Sequence, residues 1–335
     1  MQALVYHGPE RLELEERPVP RARPGEVVVH VDASSICGTD LRIAAGLHRA
    51  YAEPNGRIPG HELAGTIADV GRGVGLSEGA RVFVAPNYGC GRCRACRRGA
   101  VNLCETPRAL GITDDGAFAE YVRLPHELVE QGNVMRLETN VEQAAVALAE
   151  PLACVLRGSR ACRITARDLV LVFGAGPIGL LHVSIARLAG AHVVVCEPDE
   201  KRRRRALDWG ADAVVADPAE LNGAPEAVIV AAPAPEAQRQ ALELAAPGAR
   251  INFFAGLPHD RALVELDTNL VHYKELLVTG TTANTNADCS EALALILDGR
   301  VDTAALIDAR FELAAARDAF ALAASGRALK VVIEP

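Results

Sequence analysis

Residues 169–179 read LVLVFGAGPIG, an apolar run followed by three glycines. The apolar part, 169–173, has the length and composition of a buried strand, and the pattern after Gly179 indicates an apolar helix. Gly174 would permit a tight turn, Gly176 would let the backbone approach a pyrophosphate, and Gly179 would let the helix pack closely on the strand. The stretch therefore predicts a strand, a glycine turn and a helix whose N-terminus can bind phosphate groups.

The next segment places this turn in a dinucleotide-binding unit. A second apolar strand, 192–196, is followed by Glu197, which lies 18 residues after Gly179 and so matches the spacing of about 20 expected for a ribose-binding acid. Glu197 would accept hydrogen bonds from the ribose hydroxyls and repel a 2′-phosphate, which favours NAD. The five cations at 201–205 leave NADP open as the alternative. The predicted cofactor-binding residues are Gly174, Gly176, Pro177, Ile178, Gly179, Glu197 and Arg202.

Strands and helices alternate from about residue 142 onward, which predicts an α/β fold with a parallel sheet covered by helices on both faces. The first 140 residues contain short β-branched segments bounded by Gly or Pro instead, which predicts a β-rich domain. A helical stretch at 287–298 leads to an apolar tail that is able to return to the first domain. The apolar strands of the α/β part are predicted at 169–173, 192–196, 226–232 and 249–254, and its helices at 177–189, 200–209 and 235–246.

A chain of 335 residues exceeds the length of about 250–300 at which single cores stop growing, so more than one domain is expected. We predict a β-rich catalytic domain at 1–153 with a cysteine lobe at 86–105. A cofactor-binding domain follows at 154–285, and residues 286–335 return to the catalytic domain.

Charge and hydropathy exclude several classes of function. The 35 basic and 43 acidic side chains give a net charge of −8, which argues against a nucleic-acid partner. The uncharged run 169–186 is long enough for a membrane span, but its glycines and Pro177 indicate a strand and a helix, so no membrane contact is predicted. The first residues lack the pattern of a signal peptide, which predicts a cytoplasmic location with reduced thiols.

Four of the nine cysteines, Cys90, Cys93, Cys96 and Cys104, have the spacing C-x2-C-x2-C-x7-C. Four thiolates complete the tetrahedral shell of Zn²⁺ and leave no open position, which is typical of a structural site. An iron–sulfur cluster is the alternative, although the other signatures of a redox centre are missing. The cysteine lobe is therefore predicted to hold a structural zinc.

A second set of possible ligands is spread over the first 150 residues. Cys37 follows one predicted strand, His61 and Glu62 precede another, and Glu150 lies just before the α/β part. Each alone is more often a core or surface residue. Together they offer a thiolate, an imidazole and two carboxylates, which suffice for a catalytic zinc with an open position.

The motifs resemble, in their order, those of the medium-chain, zinc-dependent alcohol and polyol dehydrogenases. The resemblance covers essentially the whole chain. It implies a GroES-like β domain that holds both zincs, a Rossmann domain, an active site in the cleft between them, and dimers or tetramers. The motifs that carry it are CGTD at 37–40, GHE at 60–62 followed by Gly65 and Val70-Gly71, GARV at 79–82, the cysteine lobe, DGAFAEY at 115–121, Glu150-Pro151 and the glycine turn.

Carried over to this chain, the resemblance assigns Cys37 and His61 to the catalytic zinc. Glu62 or Glu150 would complete the shell, directly or through water, as in the sorbitol and threonine dehydrogenase branch. Thr39 matches the hydroxyl that relays the substrate proton.

Two departures from the family pattern bear on function. Arg42 stands where many relatives have a histidine, and because arginine stays charged it cannot relay a proton. The segment Asn87-Tyr88-Gly89 stands where threonine dehydrogenases tend to have a histidine, which favours a polyol or another sugar-like alcohol. The sequence leaves His48 and Lys330 without an assigned role.

The expected function is that of a zinc-dependent oxidoreductase that transfers a hydride between a small secondary alcohol and NAD. Two zincs per chain and a homo-oligomer are expected. The alternatives are an L-threonine 3-dehydrogenase and a catalytically inactive nucleotide-binding relative. Metal content distinguishes the last alternative, which would hold one zinc or none.

Overall fold

Residues 1–153 and 283–335 fold together as a first unit, and residues 154–282 fold as a second unit. The computed structural model describes residues 1–51 and 55–335. The second boundary lies three residues (285 − 282) before the position that the sequence suggests. The physical reason is that Asn284 donates hydrogen bonds to Glu150 and Thr285 caps the following helix, so both belong to the first unit.

The strands form at β-branched, apolar segments, as their side chains favour. Among the described residues they are β1 (Gln2–Tyr6), β2 (Leu12–Glu16), β3 (Val27–Ser35), β4 (Glu62–Val70), β5 (Arg81–Val84), β6 (Asn87–Tyr88), β7 (Arg108–Ala109), β8 (Tyr121–Leu124), β9 (Val134–Arg136), β10 (Leu169–Phe173), β11 (His192–Cys196), β12 (Ala213–Val215), β13 (Ala227–Val230), β14 (Arg250–Phe253), β15 (Leu277–Gly280), β16 (Ile307–Glu312) and β17 (Lys330–Glu334).

Several helices begin with proline in their first turn or with a polar cap, which are common helix starts. The α-helices in the same parts of the chain are α1 (Gly38–Ala44), α2 (His126–Glu130), α3 (Gln143–Ala147), α4 (Ala149–Ala161), α5 (Pro177–Leu188), α6 (Glu200–Asp208), α7 (Pro235–Leu244), α8 (Thr268–Tyr273), α9 (Asn286–Leu297) and α10 (Ala316–Ala324). Within residues 1–51 and 55–335, no helix has the length and apolar character needed to cross a bilayer.

The second unit is built on a six-stranded sheet in the order β12-β11-β10-β13-β14-β15, with every neighbouring pair parallel. The chain runs outward from β10 to one edge and then returns to build the other half from β13. The central strands are buried apolar runs, as expected for a sheet covered on both faces. The switch of direction lies between β10 and β13, where sheets of this order bind their ligands at the carboxyl ends of the strands. The predicted doubly wound α/β fold is confirmed.

The first unit is β-rich. Its main sheet has the order β16-β17-β3-β4-β5-β9, and β8 also pairs with β3. The C-terminal strand β17 pairs antiparallel with β3, so the end of the chain lies beside the strand that leads to Cys37. A core of buried valines and leucines, among them Val29, Leu63 and Val82, fills the space next to this sheet.

Candidate active site and metal centres

The pairing of β3 with β4 brings three potential metal ligands together. Ser35 at the end of β3 lies opposite Glu62 at the start of β4. Cys37 follows two residues after Ser35, at the N-terminal cap of α1, and His61 directly precedes Glu62. The ligand atoms of Cys37, His61 and Glu62 lie within 4.8 Å of one another. A thiol, an imidazole and a carboxylate at this separation form a donor set that suits Zn²⁺.

Asp40 connects two members of this group. Its Oδ2 accepts a hydrogen bond of 2.8 Å from the backbone N–H of Cys37, and its Oδ1 lies 3.4 Å from His61 Nδ1. Burial alone would lower the pKa of His61, but Asp40 and Cys37 raise it well above its usual value. A carboxylate beside a ligand histidine orients the ring and increases its basicity, so Asp40 is placed to support metal binding.

Glu62 is buried and held by a cation from the end of the chain. Its Oε2 accepts hydrogen bonds from Lys330 Nζ and Ser35 Oγ. In the part of the chain that the structure describes, its other oxygen, Oε1, accepts no hydrogen bond although it is buried. A buried carboxylate oxygen without a donor is costly, and a cation next to Cys37 and His61 would satisfy it.

Lys330 itself is buried with all three ammonium protons in use. Besides Glu62, its Nζ donates to Ser35 Oγ at 3.2 Å and to the backbone oxygen of Ile36 at 3.3 Å. Burial lowers the pKa of Lys330, but the opposing effect of Glu62 and Cys37 raises it above its ordinary value. The sequence left this residue unassigned, and the structure places it at the candidate metal centre.

Glu150 lies in the first turn of α4, outside the group formed by Cys37, His61 and Glu62. It is buried, and its Oε1 accepts a hydrogen bond of 2.6 Å from Asn284. Burial and the nearby Glu62 raise the pKa of Glu150, while His61 opposes this shift. The structure thus brings Glu62 close to Cys37 and His61, and it holds Glu150 in a second position where it interacts electrostatically with His61 and Glu62.

Thr39 lies in the first turn of α1, two residues after Cys37. Its Oγ1 accepts a hydrogen bond of 3.2 Å from Arg42. His48 is half-buried, and burial followed by the positive charge of Arg42 lowers its pKa. Asp40 and His61 also act on His48 electrostatically, so this histidine belongs to the surroundings of the site.

The four cysteines of the lobe converge as their spacing suggests. The sulfurs of Cys93 and Cys104 are 3.9 Å apart, close to the distance of about 3.8 Å that tetrahedral geometry with Zn–S bonds of about 2.3 Å requires. Backbone N–H groups donate to the sulfurs, and such a bond from Cys96 lowers the pKa of Cys93 to about 6. Backbone donors thus favour the thiolate at Cys90 and Cys93, whereas burial and the neighbouring Cys93 and Cys104 raise the pKa of Cys96. All four ligand atoms, from Cys90, Cys93, Cys96 and Cys104, lie within 4.8 Å of one another.

The glycine turn has the geometry that its three glycines require. Gly174 has a φ of +99°, which disfavours other residues, and a Cβ on Gly179 would lie 1.9 Å from the backbone oxygen of Gly174. The space around Gly176 is open to at least 4 Å. Gly176 is the N-cap residue of α5, and because glycine has no side chain, no capping hydrogen bond is made. Pro177 and Ile178 are the first residues of the helix. The N–H groups of this first turn are therefore available to a phosphate.

Glu197 follows β11 and is buried against the glycine turn. Its Oε2 accepts a hydrogen bond of 2.9 Å from Ala175 N–H, and its Oε1 accepts one of 3.0 Å from Asp199 N–H. Each carboxylate oxygen can accept more than one hydrogen bond, so both remain compatible with ribose hydroxyls. Of the neighbouring cations, Arg203 donates to the backbone oxygen of Glu197, and the backbone N–H of Arg202 donates to Asp199.

Three functional residues were not identified from the sequence as contributors to the site. The sequence around Asp40 offers a clue to its contact with Cys37, because the side chain three positions after an N-cap residue often accepts a hydrogen bond from the backbone N–H of that residue. Lys330 and Asn284 have no such clue, because their partners Glu62 and Glu150 lie 268 and 134 residues away in the chain.

Comparison with known proteins identifies the family. The model described as "Alcohol dehydrogenase GroES-like domain" matches residues 23–133, and the model "Zinc-binding dehydrogenase" matches residues 177–298. The L-threonine 3-dehydrogenase of Pyrococcus furiosus is 36% identical over 300 residues, which cover 84% of this chain and 83% of the relative. The chain belongs to the zinc-dependent medium-chain alcohol dehydrogenase family.

Two further relatives extend this finding. The sorbitol dehydrogenase of Halalkalibacterium halodurans is 30% identical, with 100% of this chain and 99% of the relative covered. A zinc-binding dehydrogenase of Sinorhizobium meliloti 1021, solved with NADP, superposes with a TM-score of 0.91 at 31% identity, with coverage of 100% and 99%. The predicted resemblance, the GroES-like and Rossmann fold class, and the general function of a zinc-dependent alcohol oxidoreductase are confirmed for this medium-chain dehydrogenase.

Proposed function

We propose that this dehydrogenase oxidises a small secondary alcohol, a polyol or another sugar-like compound, with NAD as the hydride acceptor. The observation that carries the proposal is the buried group of Cys37, His61 and Glu62, whose unsatisfied carboxylate oxygen suits a cation. The same group argues against the inactive nucleotide-binding relative, because a protein without catalysis has no need to preserve it.

We assign the catalytic zinc to Cys37, His61 and Glu62. Glu150 would contact the zinc through a water molecule or exchange with Glu62 as a ligand. When bound, zinc supplies a Lewis acid for the substrate hydroxyl, and NAD supplies the acceptor for the hydride. Asp40 lies 3.4 Å from the imidazole of His61, where it would orient the ring of a metal-bound histidine, and Lys330 donates a hydrogen bond to one oxygen of Glu62.

Thr39 is proposed to accept the proton of the substrate hydroxyl. Thr39 would pass on its own hydroxyl proton as it accepts this one, so its oxygen stays neutral. The hydrogen bond from Arg42 fixes the position of Oγ1 for this relay. Because Arg42 stays protonated, it cannot relay the proton further. A bound cofactor would supply a ribose hydroxyl as the next acceptor.

Threonine is the second candidate substrate, and the relationship to a threonine 3-dehydrogenase at 36% identity favours it. Asn87 lies just before the first cysteine of the lobe, where threonine dehydrogenases tend to carry a histidine, and this supports the polyol instead. We also propose that the chain works as a homo-oligomer in the cytoplasm, where its metal-binding thiols stay reduced.

A substrate screen tests the proposal. Zinc-loaded protein is incubated with polyols, sugar phosphates, amino-cyclitols and threonine, and NADH formation is followed, with NADP as the second cofactor. We expect oxidation of at least one polyol or sugar-like alcohol with a kcat/KM above that for threonine. Exclusive oxidation of threonine would establish the second candidate, and no oxidation by protein that holds both metals would contradict both.

The choice of cofactor is tested by Glu197→Gln. The substitution removes the charge that would repel a 2′-phosphate and one acceptor for the ribose hydroxyls. Because a hydrogen bond to a charged group contributes about 1.5–3 kcal/mol, kcat/KM for NAD is expected to fall about tenfold or more, and the ratio of NADP to NAD activity to rise. The matched control is Glu200→Gln, which removes the same charge at an exposed position of α6. An unchanged cofactor ratio in Glu197→Gln would rule out this role.

The structural metal is tested by Cys90→Ser. Loss of one of four thiolates is expected to reduce the metal content from two zincs per chain to one and to lower Tm by about 5 °C or more, since bound metal stabilises the folded state. Atomic absorption and thermal unfolding measure both effects. Cys162→Ser, in the buried core of the second unit, should keep both zincs. Two zincs in Cys90→Ser would refute the assignment.

A further inference from the structure

Five amide residues in the first unit form a hydrogen-bonded network between Glu150 and Gly89, at the start of the cysteine lobe. Some of its links join two side chains, and others join a side chain to a main-chain oxygen. Asn133 and Asn284 are fully buried, and the others are partly buried. Buried polar side chains are retained only where their hydrogen bonds are satisfied, so a connected set of this kind fixes the position of each member. The members are Asn87, Gln131, Asn133, Asn284 and Asn286.

One amide nitrogen holds Glu150 at two points. Asn284 Nδ2 donates to Glu150 Oε1 at 2.6 Å and to the backbone oxygen of Glu150 at 3.1 Å. Because both bonds come from the same nitrogen, the carboxylate is fixed relative to its own main chain. Any rotation of the carboxylate would break the shorter of the two bonds.

The orientation of Asn284 is set from its other side. Its Oδ1 accepts a hydrogen bond of 2.8 Å from Asn87 Nδ2 and a contact of 3.4 Å from the thiol of Cys289. A reversed amide would place its NH₂ group against the NH₂ group of Asn87 and its oxygen against two oxygens of Glu150. The partners therefore allow one orientation only, with the donors directed at Glu150.

At its other end, the network of amides binds the backbone of Gly89, which lies just before the four cysteines of the lobe. The side chain of Gln131 accepts a hydrogen bond of 3.1 Å from Gly89 N–H and donates one of 2.8 Å to Gly89 O. Gly89 directly precedes the first cysteine of the lobe, and a Cβ at this position would lie 2.4 Å from Cys96 Sγ. Asn133 Nδ2 donates to the backbone oxygen of Asn87, and Asn286 bridges Asn133 and Gln131.

We propose that Asn284 is a positioning residue that sets the place of the Glu150 carboxylate at the catalytic metal, and that Asn87 links this place to the cysteine lobe. The inference rests on the proposed function only in requiring a metal at Cys37 and His61. A carboxylate changes the affinity and the ligand field of a nearby cation according to its position, and outer partners of metal ligands typically alter metal affinity 10- to 100-fold when replaced.

The test measures two properties of the catalytic metal: its rate of loss to a chelator and, after substitution by Co²⁺, its visible spectrum. In Asn284→Ala, we expect zinc to be lost to a chelator about tenfold faster than from the wild type. We also expect the visible spectrum of the Co²⁺-substituted protein to shift. The cobalt spectrum of Cys37→Ala, which retains the cysteine lobe, is subtracted so that only the catalytic ion is observed. Asn284→Asp provides a second variant of equal volume, which keeps the acceptor for Asn87 and loses the donor to Glu150.

A double-substitution cycle separates positioning from general destabilisation. In a Glu150→Gln background, Asn284→Ala should cause no further change in the cobalt spectrum, because the carboxylate through which it acts is gone. Asn87→Ala should shift the spectrum in the same direction as Asn284→Ala and by less. The matched control is Asn252→Ala, which removes a buried amide from β14 in the second unit and should leave the spectrum unchanged.

Two results would overturn the inference: an unchanged spectrum and zinc-loss rate in both Asn284 variants, or an equal shift with and without the carboxylate of Glu150. None of these measurements uses an alcohol. A shifted spectrum in a protein that oxidises no alcohol would support the positioning role and contradict the proposed function. Alcohol oxidation by the wild type, together with an unchanged cobalt spectrum in the Asn284 variants, would support the proposed function and contradict the positioning role.

Discussion

Replacing Cys37 by alanine is expected to lower kcat/KM for alcohol oxidation by about a thousandfold or more, while the fold and cofactor binding stay intact. The thiol lies within 4.8 Å of the ligand atoms of His61 and Glu62, and it is the only sulfur donor of that group. Without it, the remaining donors bind Zn²⁺ weakly, and the Lewis acid that assists loss of the hydroxyl proton is absent. A thousandfold loss corresponds to about 4 kcal/mol in the activation barrier.

Three measurements on Cys37→Ala separate loss of the metal from loss of the fold. The variant should retain the zinc of the cysteine lobe, keep its circular dichroism spectrum, and bind NADH with unchanged affinity, because the glycine turn belongs to the second unit. Cys162→Ala serves as the matched control, since it removes a buried thiol that lies in no candidate metal group among the described residues. Substantial activity in zinc-free Cys37→Ala would contradict the proposed mechanism.

The parts of the molecule that the sequence predicts well are those whose physical cause is local. The strand at 169–173 and the glycine turn after it depend on neighbouring side chains and on backbone freedom at Gly174 and Gly179. The cysteine lobe likewise closes over 15 residues (90 to 104), so its ligand spacing is legible in the sequence. In both segments the residue types that the local conformation needs, glycines at the turn and cysteines at the metal site, are close together in the sequence.

The supporting residues of the candidate site depend on strand register and long-range packing instead. Lys330 reaches Glu62 because β17 pairs with β3 and β3 pairs with β4. A shift of one residue in the first register would turn Lys330 to the opposite face, and a shift in the second would turn Glu62. Asn284 meets Glu150 because the chain re-enters the first unit at residue 283. Neither contact leaves a pattern within a window of neighbouring residues, so the sequence suggests candidate ligands but not the residues that contact them.

Replacing Lys330 by methionine is expected to lower the unfolding free energy of the metal-free protein by about 3–5 kcal/mol. The substitution keeps the long side chain but leaves the carboxylate of Glu62 buried without its cationic partner, which is the costly way to break a buried ion pair. The metal-free protein is used because a bound cation would partly compensate the charge of Glu62. Urea unfolding followed by circular dichroism measures the loss, and Lys201→Met at an exposed position of α6 should change stability by no more than about 0.5 kcal/mol.

The pH dependence of this difference follows from the direction of the lysine shift. The pKa of Lys330 in the folded protein lies above the ordinary value of 10.5, so the folded state holds the proton more tightly than the unfolded state does. The stability that the pair contributes is therefore fully present below pH 10.5 and is lost as the pH rises through the folded pKa. The difference between wild type and Lys330→Met should be constant from about pH 6 to 9 and shrink only in stronger alkali.

The double variant Lys330→Met/Glu62→Gln identifies the cause of the loss. If the cost in Lys330→Met comes from the unpaired carboxylate, removing that charge should recover most of the lost stability, because replacing both members of a buried pair is often close to neutral. A loss below about 1 kcal/mol in Lys330→Met, or no recovery in the double variant, would show that the pair does not stabilise the fold. Alcohol oxidation should not recover along with stability, because Glu62→Gln also removes a proposed ligand of the catalytic metal.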